Sequence, residues 1–358
     1  MEILEFLYEE SIKNSSFIDR KVMIEQPKVI LYGPRKSGKT HIVLDHLREY
    51  DKRSYLYIDL SDERFDRADI IDTLNTFIEK KPIQLLVIES YDFSFPLPSI
   101  KEIIVTTTSL PESLPKGFTV KRLFPLDFEE FIAFDKKHSN VEHLFNLYTN
   151  HGTFPHVVHN SDFEHAKMIQ EMLHIMLPEN TAYLIYKRYC ELQGHKVSQF
   201  QIYNHLKSLI KLSKDKLYAI TSQLVAQNLL FFVEKHEQPN ASKKVYLIDF
   251  TFKNALSYKK DFIRQFENMI FLELIKRKKN IYYADGIDFY LTDESLAILC
   301  VGFATREMIE MKLQKLLPTF WQLHVKRIEV VTLSSESAQD IEGFSFTIVP
   351  FWEWALQL

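Results

Sequence analysis

The stretch GPRKSGKT, Gly33 to Thr40, constrains this chain more than any other. Two glycines with four residues between them, followed by Lys39 and Thr40, fit the phosphate-loop pattern. Its surroundings fit as well. The apolar run KVILYG precedes it, and residues 39–50 follow with Ile42, Val43, Leu44 and Leu47 on one side of a helix. Glycines let the backbone wrap closely around an anion with successive N–H groups turned inward. The helix that follows offers its positive end to the same anion. Lys39 has the reach for the β- and γ-phosphates, and the Thr40 hydroxyl suits Mg²⁺. The expected ligands are therefore ATP and Mg²⁺. The expected nucleotide-binding residues are Gly33, Pro34, Arg35, Lys36, Ser37, Gly38, Lys39, Thr40 and His41.

The first third of the chain alternates strand and helix signals. SYLYIDL (54–60), IQLLVIES (83–90), EIIVTTTS (102–109) and FTVKRLF (118–124) read as strands, with a helix over 67–81. That alternation predicts a mostly parallel sheet covered on both faces. After PLDFEEFIAF the pattern turns helical, with helices over 141–150 and 161–176. Between about 180 and 250 it reads as three helices and a hairpin with a Pro-Asn tip, a winged-helix order. From about 260 onward a helix, three strands, a helix and further strands make a second α/β module.

Hydrolysis needs a carboxylate beside the loop. The strand IQLLVIES offers only Glu89, flanked by Ile88 and Ser90, so Lys39 and Glu89 are the expected catalytic pair and Thr40 and Glu89 the expected metal ligands. Asp92, three residues on, is a candidate second acid, and Asp59 and Asp62 end the second strand. Thr106, Thr107, Thr108 and Ser109 are placed to sense the γ-phosphate. Arg35, Arg64 and Arg122 are candidate charge stabilisers.

Composition narrows the rest. A net charge of −4 gives no global attraction to nucleic acid or anionic membrane, although a local patch remains open. Two distant cysteines, Cys190 and Cys300, suit a reducing compartment, and the acidic start MEILEFLYEE does not read as a signal peptide. No apolar run reaches membrane-spanning length. A cytoplasmic chain without membrane partners is expected.

Several motifs in one order, GPRKSGKT, YLYIDLSDER, TTTS, FPLDFEEFIAF, HGTFPHVV, KKVYLIDFTFKNAL, FENMIFLEL with IYYADGIDFYL, and VPFWEWAL, resemble a family. It is that of bacterial and archaeal AAA-type ATPases with a C-terminal domain like the PD-(D/E)xK nucleases. The resemblance implies an α/β P-loop ATPase core with a parallel sheet over 1–135 and a helical lid over 136–178. It also implies a winged helix over 179–258 and a restriction-endonuclease-like α/β domain over 259–358. Two departures stand out: the family's Asp-Glu pair is reduced to Glu89, and SYDFSFPLPSI leaves little room for a helix. Slow Mg-ATP hydrolysis is therefore expected, with a non-catalytic ATP-binding regulator or scaffold as the alternative.

In the tail, Glu267 and Asp288 fall where such a nuclease has its first two acids, while AILCVGF lacks the Glu-x-Lys that should follow. Lys312 is the candidate relocated lysine, but an inactive fold is expected. Lys207, Lys211, Lys214 and Lys216 form a basic group that suits DNA phosphates. A protein partner or self-association is a further expectation. His151, His156 and His159 read as structural or surface residues rather than metal-binding, because no acid or cysteine accompanies them.

Overall fold

A computed structural model describes residues 1–10, 19–135, 139–158, 164–278, 280–333, 337–341 and 344–358. The chain divides into two compact units, Met1–Pro125 with Ala226–Asn228, and Leu126–Val225 with Leu229–Leu358.

In the first unit, five strands form one all-parallel sheet: β1 (Lys28–Tyr32), β2 (Tyr55–Asp59), β3 (Leu85–Glu89), β4 (Glu102–Thr107) and β5 (Thr119–Arg122). Their order is β2-β3-β4-β1-β5, so β4 lies between the loop-bearing β1 and the acid-bearing β3. A parallel sheet must be covered on both faces, and the strand sequences supply the means. Ile30, Leu56, Leu86, Ile88 and Ile103 join a core with helices α1 (Glu2–Glu9) and α3 (Arg67–Lys80), to which Leu4, Ile70, Leu74 and Phe77 contribute. Leu31, Leu85, Val87 and Ile104 alternate to the opposite face and pack on α2 (Lys39–Leu47) through Ile42, Val43 and Leu47. Leu44, expected with them, is only half-buried. Between Glu89 and Glu102 no helix forms, as the prolines of SYDFSFPLPSI suggest.

The second unit opens with helices α4 (Phe128–Ala133), α5 (Val141–His151), α6 (Pro155–Val158) and α7 (His165–Met176). Next come α8 (Asn180–Glu191), β6 (Lys196–Val197), α9 (Gln199–Leu206), α10 (Lys214–Ala226), β7 (Leu230–Lys235) and β8 (Lys243–Leu247). After α11 (Phe252–Leu256) and α12 (Phe262–Arg277) follow β9 (Ile281–Ala284), β10 (Ile287–Leu291), β11 (Leu296–Cys300), α13 (Arg306–Gln322), β12 (Arg327–Thr332), β13 (Ser337–Ile341), β14 (Phe344–Pro350) and α14 (Phe351–Gln357). Every strand of this unit belongs to one sheet, ordered β13-β14-β12-β11-β10-β9-β7-β8-β6. The join is the parallel pair β7–β9, in which Glu234 and Lys235 face Tyr282 and Tyr283. β11 is buried throughout, as its apolar sequence requires.

Two sequence motifs of this unit meet as partners. Asp249, 1% exposed, accepts from Thr153 N at 2.6 Å and Thr153 Oγ1 at 2.7 Å on one oxygen, and from Thr251 N at 2.8 Å on the other. Gly152 precedes this site with φ +77, and a Cβ there would lie 2.5 Å from both Asp249 oxygens. GTFP and YLIDFTF are thus two halves of one buried hydrogen-bonded contact. Of the three histidines expected in a structural or surface role, His151 is buried at the end of α5 and its carbonyl oxygen lies 2.8 Å from His165 Nε2. His156 is exposed, and His159 lies outside the described residues. Among the described residues, no group of three or more His, Cys, Asp or Glu could hold a metal.

Candidate nucleotide site

Parallel sheets bind ligands at the carboxyl ends of their strands, and the register of the first unit assembles such a site. Asp59 pairs with Glu89 across β2 and β3, and Leu31 with Thr106 across β1 and β4. Ser90 N donates to Thr106 Oγ1 at 3.2 Å, and Gly33 N to Thr107 O at 3.1 Å. The ends of β1, β3 and β4 are therefore tied together.

The loop's two glycines serve different needs. Gly38, at φ 99, caps α2 in the left-handed region where a side chain is strained. Gly33 has no such φ. It is needed for space, because a Cβ there would sit 2.1 Å from Leu123 O. Lys36 also adopts a left-handed φ of 66. Arg20 fixes the loop from outside, donating to Ser37 O and to Phe124 O, each at 2.8 Å. Nothing in the sequence marks Arg20 for that task.

Lys39 folds back over the loop, its Nζ donating to Gly33 O and Pro34 O at 2.8 Å each. Burial lowers its pKa to about 8, with Arg35 adding to the effect and Glu89 opposing it. Thr40 Oγ1 donates to Glu89 Oε2 at 2.7 Å. Burial also raises the Glu89 pKa to about 7, helped by nearby Asp59 and opposed by Thr40 and Lys39. Tyr57, which sequence reasoning passed over, stands beside this carboxylate, and burial with the charges of Glu89 and Asp59 pushes its phenol well up. Ser37 Oγ and Glu89 Oε1 are buried with no hydrogen-bond partner among the described residues. Arg35, Lys36 and His41 are exposed at the rim.

The remaining candidate acids are committed elsewhere. Asp59 Oδ1 accepts from Ser61 N and Oγ, and Asp62 pairs with Arg64 at 2.6 Å. Asp92 accepts from Ser94 and pairs with Arg67 at 3.1 Å, so both its oxygens are engaged. Of the candidate arginines, Arg122 lies over the Phe124 ring and Arg64 over Phe65, leaving Arg35 at the loop itself. Thr106 and Thr107 are buried at the end of β4, while Thr108 and Ser109 are half-buried.

In the second unit, Glu267 and Asp288 do converge, around a residue the sequence did not single out. Lys244, from β8, donates to Glu267 Oε1 at 2.6 Å and to Asp288 Oδ1 at 3.3 Å. Tyr246 O–H and Arg264 each donate to Glu267 at 2.6 Å, and Cys300 N donates to Asp288 at 2.9 Å. Lys312 stands 3.9 Å from Asp288, farther than Lys244. Burial pulls the Lys244 pKa down, but Glu267 and Asp288 together carry it above its ordinary value.

Residues 25–89 match the AAA domain family. That segment resembles an AAA domain from just before β1 to Glu89. Over 97% of its length the chain is 24% identical to 93% of an uncharacterized protein of Methanocaldococcus jannaschii. Among solved structures, it is similar to a Walker-type ATPase of Pyrococcus abyssi at 15% identity, covering 65% of this chain and 91% of that one with a TM-score of 0.43. The Aeropyrum pernix ORC1 protein in complex with DNA aligns at 14% identity over 66% of this chain and 87% of that one, with a TM-score of 0.34. Among the described residues, no helix is long and apolar enough to cross a membrane.

Proposed function

We propose that the chain binds ATP with Mg²⁺ at Gly33–Thr40 and hydrolyses it slowly, the turnover driving a conformational change. The observation that carries this reading is the 2.7 Å bond from Thr40 Oγ1 to Glu89 Oε2, which joins the loop's hydroxyl to the acid that ends β3. The fit to a phosphate and a cation rests on unmet groups. Ser37 Oγ and Glu89 Oε1 are buried without partners among the described residues, and Lys39 spends its charge on two carbonyl oxygens that a phosphate would replace. Thr40 and Glu89 would hold the cation, which supplies neutralisation of phosphate charge. Lys39 would bind the phosphates, with loop N–H groups from Pro34's neighbours Arg35, Lys36 and Ser37 and from Gly38 beside it.

Glu89 alone orients water, which supports slow turnover. Its pKa near 7 leaves a large fraction protonated at neutral pH in the free protein. That same feature favours the second reading, a non-catalytic regulator or scaffold that uses ATP for stability. Phosphate release by purified protein, with and without DNA and against a Glu89→Gln variant, separates the two. Release at the same rate in wild type and variant removes Glu89 from the chemistry.

For the second unit, the element order α8-β6-α9-α10-β7-β8 supports a winged helix over 179–258. The α12–β14 segment supports a nuclease-like α/β domain over 259–358. Helices α5, α6 and α7 support a helical lid over 136–178. Lys207 and Lys214 lie over the Tyr203 ring, and Lys214 also over Phe200, a basic and aromatic surface suited to DNA. Lys216, by contrast, pairs with Glu179 at 2.7 Å. A protein partner or self-association would use other faces. The free, buried thiols of Cys190 and Cys300 support a reducing, cytoplasmic compartment.

A further inference from the structure

The second unit holds a cavity of about 530 Å³ where the end of α8 meets the loop between α11 and α12. Five cationic or potentially cationic side chains line it: Arg188, His195, Lys253, Lys259 and Lys260. Two acids answer them, and both are already taken. Glu191 pairs with Arg188 at 2.7 Å, and Asp261 faces Lys253 at 3.4 Å and His195 at 3.7 Å. Among the described residues, neither Lys259 nor Lys260 has a carboxylate within ion-pairing distance, and Arg188 Nε is buried without a hydrogen-bond partner. Lys253 is itself buried, at 5% exposure, and its ammonium donates to Asp261 Oδ2 at 3.4 Å, an acid it shares with His195.

Cationic donors gathered at one recess, with Lys259, Lys260 and Arg188 Nε unanswered there, favour a bound anion. The cavity is also electrostatically positive. His195 has its pKa lowered by burial first and then by Arg264 and Lys253, with Asp261 and Glu267 opposing. At the mouth Tyr258 is 89% exposed, with the Lys259 ammonium 5.9 Å from the centre of its ring. Cationic donors around a recess of this size, with an open aromatic face beside it, match a phosphate carrying a base.

We propose that this cavity binds the phosphate of a nucleotide, free or within a strand. Lys259, Lys260, Arg188 and Lys253 are the donors, and Tyr258 is the stacking face. It is a different site from the phosphate loop and takes its ligand independently of it.

The test uses the full chain carrying Lys39→Ala, so that the phosphate loop does not compete for the probe. Pyrophosphate, adenosine monophosphate and a short oligonucleotide are titrated while the His195 ring is followed by NMR, its signal assigned with a His195→Gln variant. Filling the cavity with an anion should raise the His195 pKa, and Lys259→Glu with Lys260→Glu should weaken binding at least tenfold. Both lysines are exposed, so the fold is not at stake. Tighter binding of the monophosphate assigns the site to free nucleotide, and tighter binding of the oligonucleotide assigns it to a strand. A His195 signal that responds to none of the three, or equal affinity in the double variant, overturns the proposal. Because the signal arises in the cavity, failure of ATP binding at the loop leaves this result intact.

Discussion

Lys244 Nζ donates to Glu267 Oε1 at 2.6 Å with both side chains buried. The cation comes from the strand after the hairpin tip, and the acid comes from α12. Together with Arg264 and Tyr246 it satisfies Glu267 from inside the protein, and it also leans on Asp288. A metal-dependent nuclease uses such carboxylates on Mg²⁺. Here the Lys244 ammonium lies between Glu267 and Asp288 and binds both.

The first prediction follows. Purified protein incubated with linear, circular or single-stranded DNA, or RNA, in Mg²⁺ or Mn²⁺ should leave the substrate uncut. Cleavage that vanishes in Asp288→Ala would show that the cluster opens to admit metal. Lys244→Met should lower stability by about 1–3 kcal/mol, because Glu267 and Asp288 each lose a charged donor while Arg264 and Tyr246 still hold Glu267. Lys312→Met, at a half-exposed and distant lysine, should change it by less than about 1 kcal/mol. Urea unfolding measures both.

The second concerns Lys39. Its charge is held by two loop carbonyls and a nearby acid rather than by the core. Lys39→Ala should therefore abolish most Mg-ATP affinity and keep the fold. Calorimetry that finds equal affinity in both proteins rules the loop out as the nucleotide site.

The third uses pH. Glu89 holds its proton to about 7 in the folded protein, against an ordinary value of 4.5. Between those values the folded state carries the proton and the unfolded state has lost it, so stability falls as pH rises. The loss is about 3 kcal/mol by pH 8. Glu89→Gln should lack it. Stability curves of wild type and variant that stay parallel from pH 4.5 to 8 would remove the buried, protonated Glu89.

The fourth concerns DNA. Contacts from Lys207, Lys211 and Lys214 to phosphates release counterions, so binding should be weak, sequence-independent and steeply reduced by salt. Charge reversal at Lys214 should lower affinity at low salt. Reversal at Lys216, which is engaged with Glu179, should do less. Affinity untouched by Lys214→Glu would exclude this surface.

Much of the first unit was legible because its strands are short apolar runs that end at glycine, acid or threonine. β1, β3 and β4 fall within the expected segments, and Thr40 and Glu89 meet as their positions in the pattern require. What stayed hidden depends on distance along the chain. Lys244 stands in KKVYL, where a lysine at a strand start reads as solvated, and only the fold brings α12 and β10 to it. Arg20 acts through two backbone carbonyls, which carry no side-chain signature. The steric need for Gly33 stayed hidden for a related reason: its neighbour, Leu123 O, is ninety residues away.

The pairing of β7 with β9 bears on how the second unit folds. Segments 196–247 and 281–350 contribute to one continuous sheet, and Lys244 and Glu267 complete each other across it. A gene cut between them would release a hairpin with a raw edge and an unneutralised ammonium, prone to aggregate. The two segments are therefore expected to fold as one cooperative unit rather than apart.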